Sequence, residues 1–329
     1  MIRRILPFFA LTVGLGLTIL LIAAANLTSV IHSFTQIGWG VLTIVGVRAA
    51  MIAINAAAWR QLLGTLVKLP FSVFALLRWI REAIDVLLPV ASIGGSFVSA
   101  RLLTYWHVAG ATALASVFAD VLLQTAAQAV FALTGALLLA RVVGLGTLLP
   151  ALLAGSAVVL TALSGFYVIQ RHRGARLIGR VLWMLSGREE LHVRRSLFGF
   201  QNAEDALWRG RKRNMAVAFV THTCAWTLGT LEVWFALHFM EWPVTFEQAL
   251  VLESLGASIS SAAFFIPGSW GVQEGGYILI GQLLGIPAPL ALSLSLAKRI
   301  PDLLLGTPGV FAWRVLEARH LFGKSVPAG

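Results

Sequence analysis

Phe264-Phe265-Ile266-Pro267-Gly268-Ser269-Trp270-Gly271-Val272-Gln273-Glu274-Gly275-Gly276 interrupts an apolar stretch, 247–286, in its middle. Proline removes a backbone donor and glycine frees the backbone from helical geometry. Hydrocarbon offers no water to satisfy the groups so released, and such backbone is tolerated only inside protein or against a watery cavity. The stretch therefore reads as a hairpin broken at membrane depth. A second apolar stretch, 71–107, is broken by Leu88-Pro89-Val90-Ala91-Ser92-Ile93-Gly94-Gly95-Ser96. Laid on residues 266–274, Pro89 falls on Pro267 and Ser96 on Glu274.

Composition agrees with a membrane setting. Of 329 residues, 58% are apolar and 12% are charged, about half the charged share of a soluble protein. The mean hydropathy is +0.85. These values exclude a disordered or fibrous chain and argue against a soluble enzyme. The net charge of +11 fits cytoplasmic loops beside anionic headgroups, with no nucleic acid as partner. One cysteine, Cys224, excludes an internal disulfide framework and reads as a small buried hydrophobe. The apolar run Ile5–Ala25 exceeds a signal-peptide core of ~7–15 residues and reads as an uncleaved first span.

Six segments read as full crossings: 5–31, 37–59, 108–139, 147–169, 215–239 and 289–313. Basic residues precede the first, follow the second and close the chain, and the loop 171–213 holds eleven of the 25 Lys and Arg. The positive-inside rule puts these regions and both termini in the cytoplasm, with Arg141 as the one dissenter. Each broken stretch must then enter and leave on one side. The expected fold is an all-α polytopic membrane protein, residues 1–329 as a single transmembrane domain. It would be an inverted-topology repeat of about six spanning helices plus two broken re-entrant hairpins. Repeat one covers about 1–140 and repeat two about 147–315.

Helices restarting after the breaks would point free N–H groups and positive dipole ends into a cavity. Glycines that merely permit close helix packing would leave a similar pattern. Ionisable residues inside apolar segments cost ~2.5–3.5 kcal/mol each and normally face a cavity or a partner. Here they are Arg48, Asp85, Arg101, Asp120, His222, Glu232, Glu253, Glu274, Lys298, Arg299 and Asp302. His222 and Glu232 are nearly three turns apart and are not a local pair. Glu232, with Trp226 and Trp234, is expected near the outer interface. The basic loop, with its interspersed Leu, Phe and Trp, reads either as amphipathic helix on an anionic leaflet or as a solvated loop. No His-Glu-x-x-His, Gly-x-Ser-x-Gly or Walker-type loop occurs. No catalytic residue, metal site or cofactor is therefore expected, although a membrane transferase with diffuse motifs stays open.

The second break resembles the Pro-Gly-x-x-Gly-x-x-Glu signature of the lysylphosphatidylglycerol synthase transmembrane (flippase-like) family. Leu252-Glu253-Ser254-Leu255-Gly256, Ser295-Leu296-Ala297-Lys298-Arg299, Leu87-Leu88-Pro89-Val90-Ala91 and Ala100-Arg101-Leu102-Leu103-Thr104 look like its hopanoid-biosynthesis-associated branch. The resemblance covers roughly 40–315. It implies a helical bundle with re-entrant hairpins that moves or presents polar lipids in a bacterial cytoplasmic membrane. Two departures stand out: Ser96 where the pattern has Glu, and Ser258 and Pro301 where it is more basic. The aminoacyl-transferase domain does not occur in this chain.

The resulting expectation is a lipid translocase without its own energy source, for hopanoid, aminoacylated or anionic lipids. Its headgroup site would comprise Arg48, Gly94, Gly95, Ser96, Arg101, Asp120, Glu253, Pro267, Gly268, Gly271, Gln273, Glu274, Lys298 and Arg299. Arg48, Arg101, Lys298 and Arg299 would neutralise a phosphate, and the carboxylates would hold those cations or contact an amine or hydroxyl. Two rivals stay open: a scaffold for lipid-biosynthesis enzymes and a transferase using a lipid-linked donor. Membrane lipids, such enzymes and a second copy of the chain are the partners considered.

Overall fold

The computed structural model describes residues 12, 15–23, 27–64, 66–88, 94–144, 199–200, 202–208, 211–263 and 266–323, and their regular structure is all helical. The expected span 147–169, Pro89 and most of the loop 171–213 lie outside these residues.

Helix α1 (Leu15–Ala23) is followed by α2 (Leu27–Gln36). Over the described residues the expected span 5–31 is not one straight helix, because the two helices meet at 99°. Packing turns α2 aside: Val30 buries against Leu292, and Ser293 Oγ donates to the Val30 carbonyl at 3.2 Å. A short 3-10 turn leads into α3 (Val41–Leu63), which ends at Gly64 with φ 48°. Pro70, extended, precedes α4 (Phe71–Leu87); α5 (Gly94–Leu103) and α6 (Gly110–Val143) follow.

The second half starts with α7 (Lys212–Phe239). Thr245 caps α8 (Phe246–Ala262) by accepting from the Gln248 N–H while Gln248 accepts from Thr245 N–H, a reciprocal cap. Then come α9 (Val272–Leu283), α10 (Ala288–Ala297) and α11 (Arg299–Gly323). The expected span 289–313 is thus two helices joined at Lys298. Pro301 has no N–H to offer the Ala297 carbonyl, so one continuous helix loses a bond there.

Gly38–Leu63 and Gly110–Val142 are each long and apolar enough to cross a membrane, and α1–α2 makes a third if counted as one bent span. The chain is a multi-pass membrane protein. By contrast α4 and α8, with 17 residues each, are ~25 Å long, and α5 and α9, with 10 and 12, are ~15–18 Å. None of these four reaches across ~30 Å of hydrocarbon alone. Each pair folds back on itself, α4 on α5 and α8 on α9.

Helices α3 and α7 pack along each other at the centre. In one half α3 meets α4, α4 meets α5 and α5 meets α6; in the other α7 meets α8, α8 meets α9 and α9 meets α10. The long helix closing each half lies on the hairpin of the other, α11 on α4 and α6 on α8. Each half has its own apolar cluster. One gathers Trp59, Phe74, Leu77, Ile80 and Leu102. The other gathers Val233, Leu237, Leu252, Tyr277 and Leu294, with Ile44 from α3.

The α8–α9 hairpin depends on a small residue. A Cβ on Gly256 would sit 2.7 Å from Tyr277 Cζ, whereas one on Gly275 would meet nothing within 4 Å. Tyr277 is buried and its hydroxyl is held by Glu253, so the ring has no easy retreat. Overpacking of this kind costs about 1–3 kcal/mol. Gly256→Ala should lower the thermal unfolding midpoint of the detergent-purified chain by several degrees, and Gly275→Ala should leave it in place.

Candidate functional site

Between the two apolar clusters lies a cavity of about 480 Å³. Its walls come from α3, α4, α6, α7, α8, the second break, α9 and α11 with its preceding Lys298. Five cationic side chains line it: Arg48, Arg78, Arg81, Lys298 and Arg299. Isolated charges at such depth are costly, and a buried pair is stable only where geometry is good and the remaining donors are satisfied. The five cations meet that condition through three networks.

The first network centres on Glu232 of α7, which is fully buried. Arg48 grips it with two bonds, Nε to Oε1 at 2.7 Å and Nη2 to Oε2 at 2.9 Å, the bidentate geometry that suits a guanidinium. Lys298 donates to Glu232 Oε2 at 2.9 Å and to Glu253 Oε2 at 2.6 Å. Asp302 lies 3.3 Å from Arg48, and the Tyr277 hydroxyl donates to Glu253 at 3.0 Å. Arg48 from the first half of the chain and Lys298 from near its end are thereby tied to α7 and α8.

The second network centres on Asp120 of α6, also fully buried. Arg78 and Arg81 both donate to its Oδ2, at 3.0 and 2.7 Å. His222 Nε2 lies 3.0 Å from Oδ1, and His222 Nδ1 lies 2.7 Å from Asn55 Oδ1. Arg78 also bonds Glu82 and Gln124.

The third network secures the second break. Gly268, Ser269 and Gly271 have positive φ (63°, 52° and 78°), a region glycine enters freely and serine does not. Arg299 bonds the Gly268 carbonyl, donates to Glu274 Oε1 at 2.9 and 3.1 Å, and lies 4.3 Å from the centre of the Trp270 ring. Glu274 Oε2 accepts from the Gly271 N–H at 2.7 Å. One carboxylate thus caps the restarting helix α9 and holds the cation that pins the loop. At the start of α5 the Gly95 N–H is bonded at 2.8 Å by Asp85, which comes from the preceding helix. Asp85 does there what Glu274 does at the second break, and Ser96 does not need to.

The structure brings Arg48, Glu253, Gly268, Gln273, Lys298 and Arg299 together on the cavity wall. Asp120 and Glu274 stand directly behind it, holding wall cations. Gly271 shapes the loop without lining the cavity, and Pro267 opens its short 3-10 turn. Gly94, Gly95 and Ser96 open α5 and do not line it either. Arg101 is 61% exposed and pairs with Glu317 of α11 at 3.5 Å, away from the cavity. Two other expectations are corrected. Glu232 is no interfacial residue, because Arg48 and Lys298 draw it into the centre. Cys224 is exposed, not buried.

Sequence reasoning missed Arg78, Arg81 and Glu82. Their signal was present: with Asp85 they stand at i, i+3, i+4 and i+7, one face of a helix. Asn55, Gln124, Gln128 and Tyr277, which also line the cavity, carry no comparable mark. Among the described residues no three His, Cys, Asp or Glu side chains gather in a way that could hold a metal ion.

Comparison with known proteins adds one finding. Residues 8–308 match the family described as Lysylphosphatidylglycerol synthase TM region. No curated protein and no solved structure matches the chain.

Residues of one network should couple and those of different networks should not. Glu232→Gln and Lys298→Met should each destabilise strongly, because breaking a buried pair costs about 3–5 kcal/mol. Their double variant should lose less than the sum. Glu232→Gln combined with Glu274→Gln should be close to additive. Thermal midpoints of the purified variants decide this, and additivity within the Glu232–Lys298 pair would contradict it.

Proposed function

Because this chain belongs to the lysylphosphatidylglycerol synthase TM region family, and so has a role tied to membrane lipids, we propose that it is a translocase of polar lipids. A headgroup occupies the central cavity while the acyl tails stay in the bilayer. No nucleotide motif is present in the sequence, so movement is not driven by ATP bound to this chain. The observation that carries this reading is the cavity itself. About 480 Å³ of polar space, walled by charged pairs, lies among helices that are otherwise apolar. A lipid headgroup otherwise faces ~30 Å of hydrocarbon, and a polar chamber shortens that barrier.

The two short hairpins meeting this cavity support alternating access. So does the repeated order of neighbours in the two halves, with each long helix lent to the other half's hairpin. In this reading the halves have opposite sense across a bacterial cytoplasmic membrane, with both termini in the cytoplasm, as the basic residues require. Gly268 and Gly271 are the hinge points of the second break, and Arg299 is the pin that holds it in one state. The chain acts as a transporter and not as an enzyme.

Reconstitution tests the proposal. Liposomes containing tail-labelled fluorescent lipids and the purified chain are treated with a membrane-impermeant reductant. Bleaching should proceed beyond the outer-leaflet half. Arg299→Ala should slow this second phase at least tenfold, and Arg314→Ala, on an exposed position of α11, should not. Bleaching that stops at one half for every lipid would contradict translocation by this chain alone.

A further inference from the structure

The cavity has a mouth whose chemistry differs from that of its walls. Of the residues lining the cavity, Thr125 of α6 and Ser261 of α8 are exposed at the protein surface. Between them Gln128 of α6 reaches across to α8. Its Nε2 donates to Ser261 Oγ at 2.6 Å and to the Ala257 carbonyl at 3.2 Å. Further along α6, Val130, Leu133 and Leu137 are exposed, the apolar surface expected of a helix facing lipid. Uncharged hydroxyl and amide groups thus interrupt an apolar strip where polar atoms are costly and usually functional.

The α4–α11 seam holds a second, much smaller pocket of about 20 Å³. There Gly306 and Gly309 of α11 leave no space for a Cβ against Leu87 and Ala83 of α4, and Trp79 Nε1 donates to the Leu305 carbonyl at 2.7 Å. Along the α6–α8 seam Gly135 packs as closely against Ser254, but at the Thr125–Ser261 end Gln128 bridges the two helices.

Charge behind the mouth narrows what can enter. The five cations of the wall are held by Glu82, Asp85, Asp120, Glu232, Glu253, Glu274 and Asp302. Carboxylates outnumber the cations, and each cation has a partner. An entering phosphate would have to displace a carboxylate and would meet surplus negative charge. A hydroxyl both donates and accepts, so it can join carboxylate lone pairs and the Gln128, Ser260 and Ser261 groups without breaking an ion pair.

We propose that the gap between α6 and α8 is the doorway by which a lipid headgroup enters the cavity from the bilayer. Gln128 is its latch. The doorway admits lipids whose headgroups hydrogen-bond through uncharged hydroxyls, as in glycolipids and polyol lipids, in preference to anionic ones. This deepens the translocase reading and rests on it.

The test is equilibrium lipid binding to the detergent-purified full chain, read by native mass spectrometry. Three lipids with identical acyl chains are compared: diglucosyldiacylglycerol, phosphatidylglycerol and lysylphosphatidylglycerol. The glycolipid should bind at least tenfold more tightly than phosphatidylglycerol. Gln128→Leu should weaken glycolipid binding about tenfold, the worth of one or two hydrogen bonds. Ser261→Ala, a smaller change, should weaken it in the same direction, and Leu133→Ala should leave it unchanged. Thermal midpoints confirm that the variants are folded. Tighter binding of phosphatidylglycerol or of the cationic lipid overturns the headgroup assignment, and indifference to both Gln128→Leu and Ser261→Ala overturns the doorway. In any of these cases reductant bleaching beyond the outer-leaflet half leaves the translocase reading standing. Failure of that bleaching removes both.

Discussion

A carboxylate with no water near it must be held by cations, and Glu232 is the clearest case. It sits fully buried on the central helix α7 and takes two bonds from Arg48 and one from Lys298. Removing any of the three leaves its neighbours with one buried partner fewer, a costly loss among apolar helices. The need to keep them together fixes how α3, α7 and the α10–α11 joint lie against one another. Lys298 stands where α10 gives way to α11, and its ammonium reaches Glu232 and Glu253 together.

Asp120 repeats the logic with the signs exchanged. On the first half the hairpin helix α4 carries the cations and α6 the carboxylate; on the second, α8 carries the carboxylate Glu253 and the α10–α11 joint the cation. At the two restarting helices a carboxylate caps a glycine N–H, Asp85 at Gly95 and Glu274 at Gly271. Broken backbone, which hydrocarbon does not tolerate, is thereby paired by the same residues that hold the charges. The cavity remains where these pairs face one another and apolar packing cannot close.

Proline and glycine made the hairpins legible, because their effect on backbone is local. Pro267, Gly268, Gly271 and Glu274 marked the second break, but that Arg299 pins it from the last span was not legible. Intramembrane charge was legible in kind: Arg48, Glu253, Lys298 and Arg299 do meet. Their partners were not, since Glu232 and Arg48 are separated by 184 residues and no local pattern joins them. Arg101 misled because an ionisable residue beside a break can also face outward, as it does toward Glu317. Arg78, Arg81 and Glu82 were missed by treating 71–107 as a broken apolar stretch and not as a helix with one polar face. The bend between α1 and α2 was invisible for a further reason: it follows from packing on α10.

The polar notch of Thr125, Gln128 and Ser261 also acts on what lies outside the protein. Polar atoms held against acyl chains draw water and headgroups toward them, and a bilayer answers by thinning locally. A lipid beside α6 and α8 then already sits in a dimple, with its headgroup lowered before it touches the chain. Under the translocase reading proposed above, the work of crossing is shared between the protein and the membrane it deforms. The rate should accordingly depend on how stiff and thick the surrounding bilayer is, a property no residue of the chain encodes.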